Sequence, residues 1–298
     1  MSRQLLVSHP KGSWRDWIKD NLGDRDCLIL DPTDADHGPP ARAVLIRGGK
    51  VIAWRLIGTL DPQRNPMGLL TAASVLSALL DEGAVVVTFH VRLAPVLRRL
   101  ALMIAEIVRP TEILVPAGSR LEFEHWPVGA DVTELPTGYP QLVKDAQRRA
   151  RWIELFERCE THEVSIAEVG IEGTRLGSGR KLLHQDYSDY AEVSGGVLHI
   201  VSDREPQDSN VARAMDIAHA TRMSFVSPDA YRNLVCSFAH QSGEEFGMGK
   251  IVEFNPERGV FTILCDAVVP APVRILRIGS LSVDDDGREL GDARPWTV

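Results

Sequence analysis

The strongest constraint on this chain is an alternation in its first half: short unbroken apolar runs separated by helical patterns. Residues 4–7 (QLLV), 27–30 (CLIL), 84–89 (AVVVTF) and 112–115 (EILV) lack polar alternation, as strands buried on both faces do. Between them, WRDWIKDNLG reads as a helix closed by Gly23, and PMGLLTAASVLSALL and PVLRRLALMIAEIV read as apolar helices. ARAVLIRGGKVIAWRLIG reads as a hairpin turning at Gly48-Gly49. Such alternation predicts an α/β fold, a mostly parallel sheet with helices on both faces.

From Gln141 the pattern changes. KDAQRRARWIELFERCE is a long basic amphipathic helix with Trp152, Leu155 and Phe156 as its apolar stripe. Beyond it come short strands, GVLHIVS, NLVCSFAH, GKIVEF, GVFTILC and VRILRIGSLSV, with a hairpin turn in FNPERGVF at Gly259. A boundary is expected near residue 160. It separates a first domain, 1–160, which takes in the helix at 141–159, from a smaller β-rich domain, 161–298.

A length of 298 residues fits one large or two medium domains, and a net charge of −8 argues against non-specific coating of nucleic acid. The four cysteines, Cys27, Cys159, Cys236 and Cys265, show no paired spacing and are expected as reduced, mostly buried thiols. No apolar stretch approaches membrane-spanning length, since SVLSALLDEGAVVVTF is cut by Asp81 and Glu82. The expected location is the cytoplasm, without membrane association.

The stretch LLVSHPKGSWRDWI has the outline of a phosphate-binding loop: strand, small-residue turn, helix. A working loop, G-x-x-x-x-G-K-[ST], needs glycines so that backbone N–H groups close on the phosphates. Its lysine neutralises them and its hydroxyl holds Mg²⁺. Laid over HPKGSWRD, that frame puts His9 and Trp14 at the glycines, Arg15 at the lysine and Asp16 at the hydroxyl. Only the spacing, the internal Gly12-Ser13 and a positive charge survive. In this alignment Trp14 fills the space of the phosphates and Asp16 repels them.

Further segments, in order, carry a resemblance. In CLILDPTDADHGPP, Asp34, Asp36 and Gly38 match a D-x-D-x-G-Q motif, with Pro39 replacing the Gln and Pro40 following. LIGTLDPQRNP resembles a G-x-x-S-P loop, matching at Gly58 and Pro62, with Asp61 in place of the Ser. VVVTFH keeps Thr88 of a strand ending in T-P-G, and RPTEILV resembles the strand after it. HEVSIAEVGIEGTRLGSGRKL and the stretch from Ser227 to Gly291 resemble the opening and closing segments of a C-terminal domain. Together these resemble the P-loop polynucleotide 5′-hydroxyl kinases of RNA processing, in their short archaeal and bacterial form.

The resemblance implies a P-loop NTPase-like domain with an arginine-bearing lid. In such a kinase Asp34 and Asp36 would handle metal and the attacking hydroxyl. Arg148 and Arg151, among the lid cations Lys144, Arg148, Arg149 and Arg151, would face the transferred phosphoryl. Lys11, Gly12, Ser13, Arg15 and Asp16 would form the nucleotide loop, with ATP and Mg²⁺ as cofactors if that loop works.

Phosphoryl transfer rests on positioning and charge neutralisation, so a loop altered at four defining positions implies a pseudoenzyme without cofactor. Its expected role is a binding or scaffold protein beside an RNA-processing partner, touching RNA or DNA 5′ ends through the basic lid. The alternative is an active ATP-dependent kinase with a divergent loop. His9, His37 and His90 also map near the acidic pair. A metal-dependent enzyme is a third possibility if they converge; the plainer reading is three separate polar histidines, and no metal site is assigned. GTRLGSGRK is a second possible contact to a nucleic-acid backbone, or simply a loop between strands.

Overall fold

A computed structural model describes residues 3–9, 14–91, 94–127, 129–135, 145–182, 190–204, 208–266 and 272–293. The uninterrupted apolar runs become the buried parallel strands β1 (Gln4–Ser8), β2 (Cys27–Ile29), β5 (Val85–His90) and β6 (Glu112–Pro116). Between β2 and β5 come the hairpin β3 (Arg42–Arg47) and β4 (Lys50–Leu56), and after β6 comes β7 (Asp131–Leu135). The sheet order is β4-β3-β2-β5-β1-β6-β7, parallel except at the hairpin. Gly48 and Gly49 both have positive φ (56° and 75°), the paired left-handed geometry that a two-residue hairpin of this twist requires.

Helices cover both faces. α1 (Trp14–Asn21) lies over one, with Trp14, Trp17 and Ile18 packed against Leu6, Ile29 and Val87. α2 (Pro66–Ser77) and α3 (Pro95–Val108) lie over the other, against Leu5, Leu28 and Val86. α2 starts where Asn65 caps the Gly68 N–H at 2.9 Å and Pro66 presets the first turn. The helix at 141–159 begins, among described residues, as α4 (Asp145–Phe156), and Trp152 and Leu155 of its apolar stripe are buried.

Contacts divide the chain inside α4, into units 1–151 and 152–298. The second unit contains β8 (Glu160–Ser165), β9 (Gly170–Glu172), β10 (Arg180–Lys181), β11 (Tyr190–Ser194) and β12 (Val197–Val201). Then follow α5 (Asp208–Ala218), β13 (Arg222–Val226), β14 (Leu234–Ala239), β15 (Glu245–Asn255), β16 (Val260–Cys265), β17 (Ile275–Val283) and β18 (Glu289–Asp292). One sheet runs β18-β17-β14-β15-β16-β8 with β9 beside β17; the other runs β10-β11-β12-β13.

The region is β-rich as expected, but β12 and β13 are parallel and joined through α5, a crossover that the sequence reading did not anticipate. Two charged groups here are paired within the unit. Lys250 reaches Asp285 at 2.6 Å, which explains the acidic turn VDDDGREL. GTRLGSGRK is organised around the chain's own Glu192, whose carboxylate accepts from the Gly177 N–H at 3.0 Å and the Tyr190 hydroxyl at 2.5 Å. No helix among the described residues is long and apolar enough to cross a membrane.

Candidate functional site at the C-terminal edge of the parallel sheet

β1 is flanked by β5 on one side and β6 on the other, so the chain reverses direction across the sheet at β1. In open α/β sheets the crevice beyond the strand C-termini at such a reversal is where ligands sit. Here it is bordered by His9 after β1, by Asp31 to Arg42 after β2 and by His90 at the end of β5.

Local chain geometry builds the acidic loop. Asp31 accepts from the N–H (3.0 Å) and hydroxyl (2.7 Å) of Thr33, a turn that folds the chain back just beyond β2. Asp34 follows, buried, with its carboxylate 2.9 Å from Nδ1 of His37. Gly38 has φ 116°, and a Cβ there would stand 2.1 Å from the Arg42 guanidinium, which donates to the His37 carbonyl at 2.7 Å. That glycine of the D-x-D-x-G match is therefore required by backbone conformation. Arg42 also lies over the Trp54 ring, 5.3 Å from its centroid.

α4 meets this loop through its N-terminal half. Gln147 donates to Asp36 at 2.6 Å, and Nε of Arg151 donates to the Ala35 carbonyl at 2.9 Å. Arg148 pairs with Asp145 at 2.7 Å, and Arg149 is exposed. Asp34, Asp36 and Arg151 thus converge. Lys11, Gly12, Ser13 and Lys144 lie outside the described residues. Arg15 and Asp16 stand in the first turn of α1, and their side chains also lie outside the description.

Trp14 goes elsewhere than the alignment placed it. Its indole is 4% exposed and packs in the apolar cluster under α1 with Leu6, Ile29, Val87 and Leu114. The expectation that it fills the phosphate space is corrected. As the first residue of α1 it has a sheet face to cover, and burying an indole there outweighs leaving it at a polar loop.

Asp31 escaped the sequence reading, and His90, expected near the acidic pair, stands close to it. Asp31 is 3% exposed, and burial pushes its carboxyl above the ordinary range, with the nearby His90 imidazole opposing. His90 reaches that position through an irregular register: Leu6 pairs with Val87, but Ser8 pairs with His90. The extra β5 residue turns Phe89 into the α2–α3 core. The Nδ1 atom of His90 is buried and has no hydrogen-bond partner among the described residues. A polar residue directly ending an apolar run, as in CLILD and VVVTFH, was the available signal. Among the described residues no three His, Cys, Asp or Glu side chains are grouped to hold a metal ion.

No family model matches the chain. It is 27% identical over 165 residues to a polyribonucleotide 5′-hydroxyl kinase of Thermococcus kodakarensis, a match covering 54% of this chain and 46% of that protein. The corresponding Pyrococcus furiosus protein is 24% identical over 175 residues, 57% of this chain and 49% of that one. The matched region thus spans about half the length of these curated relatives. Among solved structures, Clp1p in complexes with Pcf11p superposes with a TM-score of 0.56 at 14% identity, over 94% of this chain and 75% of that chain. One of those structures concerns ATP loss in a glycine-to-arginine point mutant of that complex. The fold described above, a mostly parallel sheet between helices followed by a β-rich region, is the Clp1 fold.

Proposed function

From the premise that this chain is a relative of the P-loop polynucleotide 5′-hydroxyl kinases and Clp1, we propose that it is a catalytically impaired member acting as a nucleic-acid- or protein-binding scaffold in RNA processing. In this reading residues 1–160, lid helix included, are the kinase-like domain and 161–298 the β-rich one. The observation that carries it is the engagement of the acidic loop by its own surroundings. Asp34 accepts from His37, Asp36 from Gln147, and Arg151 of the lid is hydrogen-bonded to the Ala35 carbonyl between them.

Groups that a kinase would turn toward metal and a phosphoryl group here hold the lid and the loop together. The substitutions at the phosphate loop, Arg15 for lysine and Asp16 for the hydroxyl residue, act in the same direction. An arginine is bulkier and offers a planar fork in place of a point charge, and a carboxylate beside a triphosphate raises its energy. The exposed Arg149 leaves the lid able to touch a 5′ end through its backbone phosphates. A protein partner, as Pcf11p is for Clp1p, and a cytoplasmic location complete the proposal.

The burial of Trp14 favours a second reading, an active ATP-dependent kinase with a divergent loop, because the indole does not then fill the cradle. ATP and Mg²⁺ would be its cofactors, with Lys11, Gly12, Ser13, Arg15 and Asp16 at the nucleotide. Asp34, Asp36, Arg148 and Arg151 would work at the hydroxyl and the phosphoryl. Transfer of labelled phosphate from ATP to a 5′-hydroxyl oligonucleotide decides between them. The scaffold reading expects none, and no thermal shift with Mg-ATP. Transfer that is lost on Arg15→Ala overturns it.

A further inference from the structure

Two neighbouring helices of the first unit turn apolar side chains to solvent. α2 carries no charged residue. Met67, Thr71 and Val75 repeat at every fourth position on its outer face, and Leu79 follows in the closing turn. Met67, Val75 and Leu79 are 69%, 45% and 52% exposed. α3, packed beside α2, adds Val96 at 51% and Met103 at 44%. A surface helix ordinarily turns a charged face to water, so a contiguous apolar face over two helices marks an interaction surface.

The outer face of α3 also carries one charge of each sign, placed on either side of Met103. Arg99 lies four residues before it and Glu106 three residues after. Both are exposed, and neither has an ion pair among the described residues. Seven residues make two turns, so the two charges share a face about 10 Å apart along the axis.

We propose that this face binds a second copy of the chain, two α2–α3 pairs packing about a two-fold axis where the α3 helices cross antiparallel at Met103. That symmetry sets Arg99 of each copy against Glu106 of the other, so one geometry forms two ion pairs. The uncharged α2 approaches its own copy without like-charge repulsion, which matters for a chain of net charge −8. An amphipathic helix from a different protein would also cover the apolar stripe. It supplies no reason for opposite charges placed nearly evenly about Met103.

Sedimentation velocity with light scattering, on the full chain at micromolar concentration and low salt, tests the proposal. The expected species is a dimer. Arg99→Glu sets like charges together and weakens association by at least about tenfold, and the double exchange Arg99→Glu with Glu106→Arg recovers it. Met103→Glu yields monomer. All three positions are exposed, and unchanged thermal melting verifies that each variant folds. A monomeric wild type overturns the inference and leaves the face to a different protein. A dimer that survives Met103→Glu overturns it as well, as does a loss that the double exchange does not recover.

Discussion

Two aspartates bracket the same short strand and are treated in opposite ways. Asp26, just before β2, receives a two-pronged contact from Arg47 at 2.8 and 2.6 Å and the Asp81 N–H at 3.2 Å. The Arg47 contact holds its carboxyl below the ordinary range. Asp31, just beyond β2, has the Thr33 hydrogen bonds and a neighbouring imidazole, and burial holds its carboxyl above that range. Gln4, Arg25 and Glu112 extend the pairing at the N-terminal edge, through contacts of 2.6 Å. At the C-terminal edge the acidic loop meets α4 through Gln147 and Arg151. One edge closes the sheet with paired charges; at the other, burial acts on the carboxyl of Asp31.

The comparison can be tested hardest at the floor of the C-terminal edge. Trp14→Ala removes a buried indole between α1 and the sheet, and denaturant titration should show a loss of about 3–5 kcal/mol. An unchanged midpoint would return the indole to the loop. Asp26→Ala should cost about 1–3 kcal/mol by the same measurement, because the Asp81 N–H loses its acceptor and Arg47 loses its two-pronged contact while keeping Leu79 and Asp81.

Asp31→Asn sharpens the contrast through pH. A carboxyl pushed up by burial keeps its proton in the folded state to higher pH than in the unfolded chain. Its contribution to stability is complete below about pH 4, where the unfolded group titrates, and is lost as pH rises through the folded value. The variant should therefore gain on the wild type between acid and neutral pH. A stability difference that does not change with pH would remove the contrast with Asp26. Smallest is Gln147→Ala, which deletes the hydrogen bond to Asp36. Global stability should fall by no more than about 1 kcal/mol, while amide exchange in the first turns of α4 accelerates; exchange that stays slow would mean the contact does not hold α4 to the loop.

Much of the scaffold was legible because its signals are short-range. Unbroken apolar runs specify strands buried on both faces, and Gly48-Gly49 specifies the hairpin, since the chain geometry there depends on adjacent residues alone. The crossover through α5 was missed. DSNVARAMDIA has few large apolar residues, and its burying positions are the small Ala214 and Ala218, so its helical period is faint. At the site, the D-x-D-x-G match located the acidic loop, because a turn with a required glycine is also a local feature.

The amino-acid order alone determined the alternation of strands and helices, the turns and the acidic loop, all set by interactions within a few residues. Tertiary structure decided where Trp14 points, that His90 rather than Phe89 stands beside Asp31, and that Gln147 and Arg151 close on a loop more than a hundred residues earlier. Each depends on which distant surface is available for burial or hydrogen bonding, and no local pattern encodes that.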